Sequence, residues 1–185
     1  MTIKINQNPD KVLRQTAKEV SLYEIKSDKI KKIISEMTKA MFNAKDGVAI
    51  AAPQIGESLR IFIVDRFFWI ADKKKENQKD SQIETRNQEP KKLPPIVFIN
   101  PIIKKLSKKK QPLEEGCLSA EGFYGIVERS EKVTIEALDE NGKKFSRGCS
   151  RLLAQIVQHE VDHLNGVLFI DKASGLKKIK RQINE

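Results

Sequence analysis

QHEVDHLNG (residues 158–166) holds both histidines of a 185-residue chain, with Glu160 directly after the first. On a helix, positions i and i+4 share one face about one turn apart, so the two imidazoles can hold one metal ion between them. The glutamate beside the first is then placed to act as a base on water at that ion. Two structural histidines on one helix are the plain alternative, but that account gives the glutamate no task. The pattern around the pair is helical: from about Ser150, the apolar residues Leu152, Leu153, Ile156, Val157, Val161 and Leu164 recur between polar ones, and Asn165-Gly166 supplies a stop. This predicts a C-terminal helix with the histidine pair on its buried side.

A catalytic ion normally keeps three protein ligands and one open position. There is no third histidine, so Cys149, Cys117 and a carboxylate compete. Cys149 falls on the helical stripe 149, 152, 156, 159, 163. At about 1.5 Å per residue it would lie roughly 15 Å from His159, and a small buried thiol is the simpler reading. Cys117 lies in LEEGCLSAEG (113–122). The glycine before it lets backbone come close, and the flanking carboxylates can orient ligands from outside. Alone, that stretch is a weak signal. Asp162 is read as holding loop or ligand geometry rather than the ion.

Further from the histidines, SDKIKKIISEMTKAMFN (27–43) spaces Ile30, Ile33, Ile34, Met37, Ala40 and Met41 as an amphipathic helix behind a Ser27 cap. Residues 60–65 and 95–100 read as strands, and 132–145 as a hairpin turning at Asn141-Gly142. Between the first two strands, residues 72–92 carry a single aliphatic side chain, too little to bury. They are expected to form a mobile polar insertion within one domain spanning 1–185. No internal repeat is visible. The chain is 39% hydrophobic and 32% charged, which suits a globular protein with a real core. It has no apolar run long enough for a membrane span, and its N-terminus lacks the apolar stretch of a signal peptide, so a cytoplasmic protein is expected. The two cysteines are then thiols. With 35 Lys+Arg against 25 Asp+Glu, the formal charge is +10, which suits an anionic surface such as RNA nearby but specifies none.

Taken together and in this order, GVAIAAPQ (47–54), EGCLS (115–119) and QHEVDH (158–163) resemble the three signature motifs of the peptide deformylases. NPDKVLRQTAKEV (8–20), FINP (98–101) and HLNGVLFID (163–171) extend the resemblance over nearly the whole chain. It implies an α+β fold of small, largely antiparallel sheets around a central metal-binding helix. It also implies removal of the formyl group from the initiator methionine of nascent chains, with N-formylmethionyl peptides as substrates. The implied ligands are Cys117, His159 and His163, holding one divalent ion. Thiolate and imidazole suit Fe2+, Zn2+, Ni2+ or Co2+ alike, and only the resemblance favours iron. Glu160 becomes the proton carrier, while the Gln54 side-chain amide and the Leu118 N–H become donors to the oxyanion. The first motif brings Gly47, Val48 and Ala49 towards substrate. Helical facing and motif proximity add Leu113, Leu152 and Ile156, for which ordinary core packing is the competing account.

Three departures stand out: Ala49 where the family has a second glycine, Ala120-Glu121 after EGCLS, and the long 72–92 stretch. None removes a group the reaction needs. Two other readings are weaker. A general HExxH zinc peptidase would not need Cys117 upstream or AAPQ, and a non-enzymatic ribosome- or RNA-binding homologue would not need Glu160. The tail SGLKKIKRQINE (174–185) places Leu176, Ile179 and Ile183 at near-helical spacing among Lys177, Lys178, Lys180 and Arg181. A basic helix that docks on ribosomal RNA is the functional reading of the tail, and a frayed solvated helix the plain one.

Overall fold

The computed structural model describes residues 3–76 and 93–178. Its frame is a five-stranded antiparallel sheet with strand order β1-β2-β3-β6-β7. The strands are β1 (Ala49–Ala51), β2 (Ile61–Val64), β3 (Ile96–Leu106), β6 (Lys132–Leu138) and β7 (Lys144–Ser150). Both faces of its first strands are covered, so IFIV in β2 is buried at every position. Period-two alternation sorts these side chains. Phe62, Val64 and Phe98 face the C-terminal helix α3 (Arg151–Leu164), whereas Ile61, Ile63, Val97 and Ile99 face the N-terminal helix α1 (Asp28–Asn43). Ser27 caps α1 by accepting from the Ile30 N–H, and Ile30, Ile33, Met37, Ala40 and Met41 are buried, as the periodicity predicts.

A second sheet, order β4-β5-β8, is built from β4 (Lys110–Gly116), β5 (Phe123–Ser130) and β8 (Ser174–Lys178). The architecture is α+β, as expected.

Three local readings change. Residues 72–76 are not loop: they continue a helix, α2 (Arg66–Glu76), that the polar composition of this stretch hides. Asp72 is buried there, because its carboxylate accepts from the Ser150 hydroxyl at 2.9 Å and from Arg147 at 3.3 Å. The rest of the expected insertion, 77–92, lies outside the described residues. The start of the tail is not helical either. Residues 174–178 form strand β8 because the open edge of β5 offers hydrogen bonds that an isolated short helix lacks, pairing Lys177 with Tyr124 and Lys178 with Phe123. Residues 179–185 lie outside the description. Cys149 sits on β7 rather than on the helical stripe, since the strand runs to Ser150 before α3 begins. It is a buried thiol, as the simpler reading has it.

Candidate metal centre

Helix α3 carries His159 and His163 on the side that faces the end of β4. Cys117 follows Gly116, the last residue of that strand. The glycine is needed here, because a Cβ at 116 would fall 2.8 Å from the Tyr124 ring. The Cys117 sulfur lies 3.1 Å from His163 Nε2, and the donor atoms of Cys117, His159 and His163 all fall within 4.8 Å of one another. A sulfur and two imidazole nitrogens at this spacing fit a divalent ion of borderline softness. Two further observations support the fit. Glu160 Oε2 is buried without a hydrogen-bond partner, a costly arrangement that water at a loaded site can relieve. Burial opposes ionisation of the Cys117 thiol, yet the His163 and His159 imidazoles outweigh it and hold the thiol well below its usual range.

His159 is oriented from behind. Its Nδ1 meets Glu115 Oε2 at 3.0 Å, which leaves Nε2 for an ion. Glu115 accepts a bidentate pair from Arg129 at 2.8 and 2.9 Å, and Arg129 reaches on to Asp162 at 2.6 Å. Lys172 closes the line on the other Asp162 oxygen, also at 2.6 Å. Burial pushes Glu115 up, but the hydrogen bonds from Arg129 and His159 win and bring its pKa down to about 2. Glu115, one of the carboxylates flanking Cys117, thus holds the His159 ring, and Asp162 is tied to it through Arg129. Arg129 itself has no signal in the sequence: it is one of 35 basic residues until β5 pairs with β4. Glu115 lies opposite Gly125, and Arg129, four residues on from Gly125, therefore projects from the same face of the sheet.

On the other side of the sulfur, Gln54 is the third residue of a short 3-10 helix (Ala52–Ile55) with Pro53 in its first turn. Its Oε1 accepts from the Ala51 N–H at 2.8 Å, which fixes the amide flip. Nε2 is then turned to Ser119 Oγ at 3.1 Å and to the Cys117 sulfur at 3.6 Å. The Ser119 N–H also donates to that sulfur, at 3.4 Å. Glu160, one residue past His159, is buried, and desolvation raises its pKa to about 7 against the pull of both imidazoles. A carboxylate poised there can take and return a proton near neutral pH.

The expected substrate residues divide. Ala49 and Ile156 pack into the core between the large sheet and α3, because β1 is covered on both faces and Ile156 lies on the inner stripe of the helix. Ordinary packing accounts for both. The close approach that requires glycine at 47 is to α1: a Cβ there would stand 2.0 Å from the Met41 carbonyl oxygen. Val48 and Leu113 are half-buried, and Leu152 is 48% exposed, so these three remain open to a ligand. A separate cavity of about 630 Å³, lined in part by Arg66, Trp69, Phe145 and Arg147, includes none of the metal-centre residues.

Residues 2–179 match the family described as polypeptide deformylase. The chain is 39% identical over 178 residues to a peptide deformylase of Fusobacterium nucleatum, covering 96% of this chain and 87% of that one. It is 40% identical over 172 residues to a peptide deformylase of Psychrobacter cryohalolentis, covering 93% and 79%. Among solved structures, a peptide deformylase from Synechococcus elongatus in complex with actinonin aligns with TM-score 0.74 at 36% identity, over 94% of this chain and 79% of that one. The Met-Ala-Ser-bound class I type b peptide deformylase from Acinetobacter baumannii aligns with TM-score 0.74 at 32% identity, over 93% and 99%.

Proposed function

The chain belongs to the polypeptide deformylase family, a metal-dependent family that removes the N-formyl group from nascent peptides, and from that premise we propose that Cys117, His159 and His163 hold its metal ion, with Glu160, Gln54 and Leu118 carrying the chemistry. The observation that supports this most is the convergence of the thiol, two imidazoles, a buried carboxylate and a locked amide from three separated motifs. A divalent ion bound by these donors would polarise the formyl carbonyl and make water acidic enough to react near neutral pH.

The residues then divide the work. Glu160 takes a proton as water adds to the formyl carbon. It returns that proton to the amine nitrogen as the C–N bond breaks, leaving formate and a free N-terminus. Negative charge grows on the carbonyl oxygen during the addition. Gln54 Nε2 and the Leu118 N–H, which makes no hydrogen bond among the described residues, are the donors for it. Val48, Leu113 and Leu152 are the side chains assigned to the methionine.

The donor set alone does not choose an ion. Iron(II) is the reading that the family resemblance supports, and metal analysis of anaerobically purified protein tests it. Substrates on nascent chains put the enzyme where translation occurs, the cytoplasm in this reading. The exposed Lys177 and Lys178 of β8, with a net charge of +10, support contact with ribosomal RNA. Equal, salt-insensitive co-sedimentation with ribosomes of the parent and of a chain ending at Ser174 would discard that contact.

The deciding experiment is formate release from formyl-Met-Ala-Ser, the formylated form of the tripeptide bound by the Acinetobacter relative. Turnover by the metal-loaded protein, abolished by a chelator, is expected. No formate from protein with full metal occupancy would overturn the assignment.

A further inference from the structure

The peptide unit joining Leu118 to Ser119 is gripped at both edges. Its N–H donates to the Cys117 sulfur at 3.4 Å, and its carbonyl accepts from Gln7 Nε2 at 2.8 Å. A trans peptide is planar with C=O and N–H on opposite edges, so whatever turns the carbonyl turns the N–H with it. We infer that Gln7 is a positioning residue for the metal centre: by holding the Leu118 carbonyl it aims the Ser119 N–H at the ligand sulfur. This rests on Cys117 being a ligand. Gln7 touches neither the sulfur nor either histidine, and acts only through that peptide.

Neighbouring contacts restrict the same turn. Gln7 Oε1 accepts from the Glu121 N–H at 3.4 Å, so one side chain spans the turn as both donor and acceptor. On either side of it, the Asn6 N–H donates to the Gln54 carbonyl and the Asn8 N–H to the Ser119 carbonyl, each at 2.8 Å. Residues 6–8 thus tie the loop bearing Gln54 to the loop bearing Cys117. An N–H aimed at a thiolate withdraws charge from the sulfur. A carbonyl that already accepts a hydrogen bond polarises its peptide and makes that N–H a stronger donor. Gln7 therefore tunes how much charge the sulfur offers an ion, in the way that outer partners tune ligands elsewhere. Its side chain lies at the surface, so replacing it opens no cavity in the core.

The test uses full-length protein loaded with cobalt(II), whose thiolate-to-metal absorption in the near ultraviolet reports on the sulfur rather than on the fold. Gln7→Ala removes the clamp. Gln7→Glu keeps the stem and the acceptor for Glu121 but removes the donor. Both should displace the band and lower kcat/KM on formyl-Met-Ala-Ser by up to about 10-fold, with thermal midpoints near that of the parent. A parent-like band in the alanine variant, or in the glutamate variant alone, would overturn the inference. A cobalt-loaded parent with no thiolate band would overturn the ligand assignment, and this inference with it, so the two failures are distinguishable.

Discussion

The two flanks of Cys117 are held by opposite means. Towards α3 the chain of contacts is ionic: Lys172, Asp162, Arg129, Glu115 and His159 follow one another, and Arg129 and Glu115 are almost wholly buried. Towards the 3-10 helix the contacts are neutral: Gln54 and the Ser119 N–H reach the sulfur, and Ala51 and Ser119 hold the glutamine amide. Buried charges are expensive to desolvate but, once mutually paired, fix direction strongly. Neutral donors cost less and suit a place where charge appears only during reaction. The ionic flank is thus suited to holding a ligand still, and the neutral flank to answering a charge that comes and goes.

That contrast can be broken in graded steps. Glu160→Ala removes the carboxylate assigned to proton transfer while leaving Cys117, both histidines and both flanks intact. Turnover of formyl-Met-Ala-Ser should fall by about 10²–10⁴-fold with metal content unchanged on elemental analysis; metal loss would show that Glu160 is part of the ligand framework. Arg129→Met attacks the ionic flank, leaving Glu115 and Asp162 without their shared cation. A loss of about 3–5 kcal/mol in chemical denaturation, with weakened metal retention, is expected. Gln54→Ala attacks the neutral flank and should act mainly on rate, lowering kcat by about 10²-fold or more, with a smaller stability loss of about 1–3 kcal/mol from the Ala51 N–H left unpaired.

Acid probes the ionic flank more gently. Glu115 is held at about 2 in the folded protein, below its unfolded value of about 4.3, so its contribution is complete above the unfolded value. As pH falls from there towards 2, roughly 3 kcal/mol should be lost, visible as a falling melting temperature. A Glu115→Gln variant should flatten that part of the profile. The smallest effect is expected from Cys149→Ser, which alters a buried β7 side chain outside both flanks and should leave activity near that of the parent. Strong loss there, with a tolerant Cys117→Ser, would reverse the assignment of the two thiols.

The neutral and ionic flanks were also unequally legible in the sequence. His159, Glu160 and His163 show themselves because helical spacing is local, and α1 does so for the same reason. Cys117 and Gln54 needed the three motifs taken together, because nothing local sets one thiol or amide apart from another. Arg129, Ser119 and Gln7 gave no sign: their roles come from strand register and from a peptide plane, which exist only once distant segments meet. Helix α2 was hidden because Asp72 reads as polar and becomes buried only through partners on β7. Strand β8 was misread as helix because Leu176 and its lysines fit either period, and the open edge of β5 decided it.

Lys172, the outermost member of the ionic line, has a consequence for how the enzyme comes into being. The contacts at the centre join residues far apart along the chain: 46 positions from Cys117 to His163, and 111 from Gln7 to Leu118. Such topology folds slowly, since the cost of closing long loops comes before the contacts that reward it. The contacts of the centre can therefore form only once α3, and behind it the Lys172 that closes the ionic line, has come together with β4 and β5. A fragment ending before α3 has neither His159 and His163 nor Glu160.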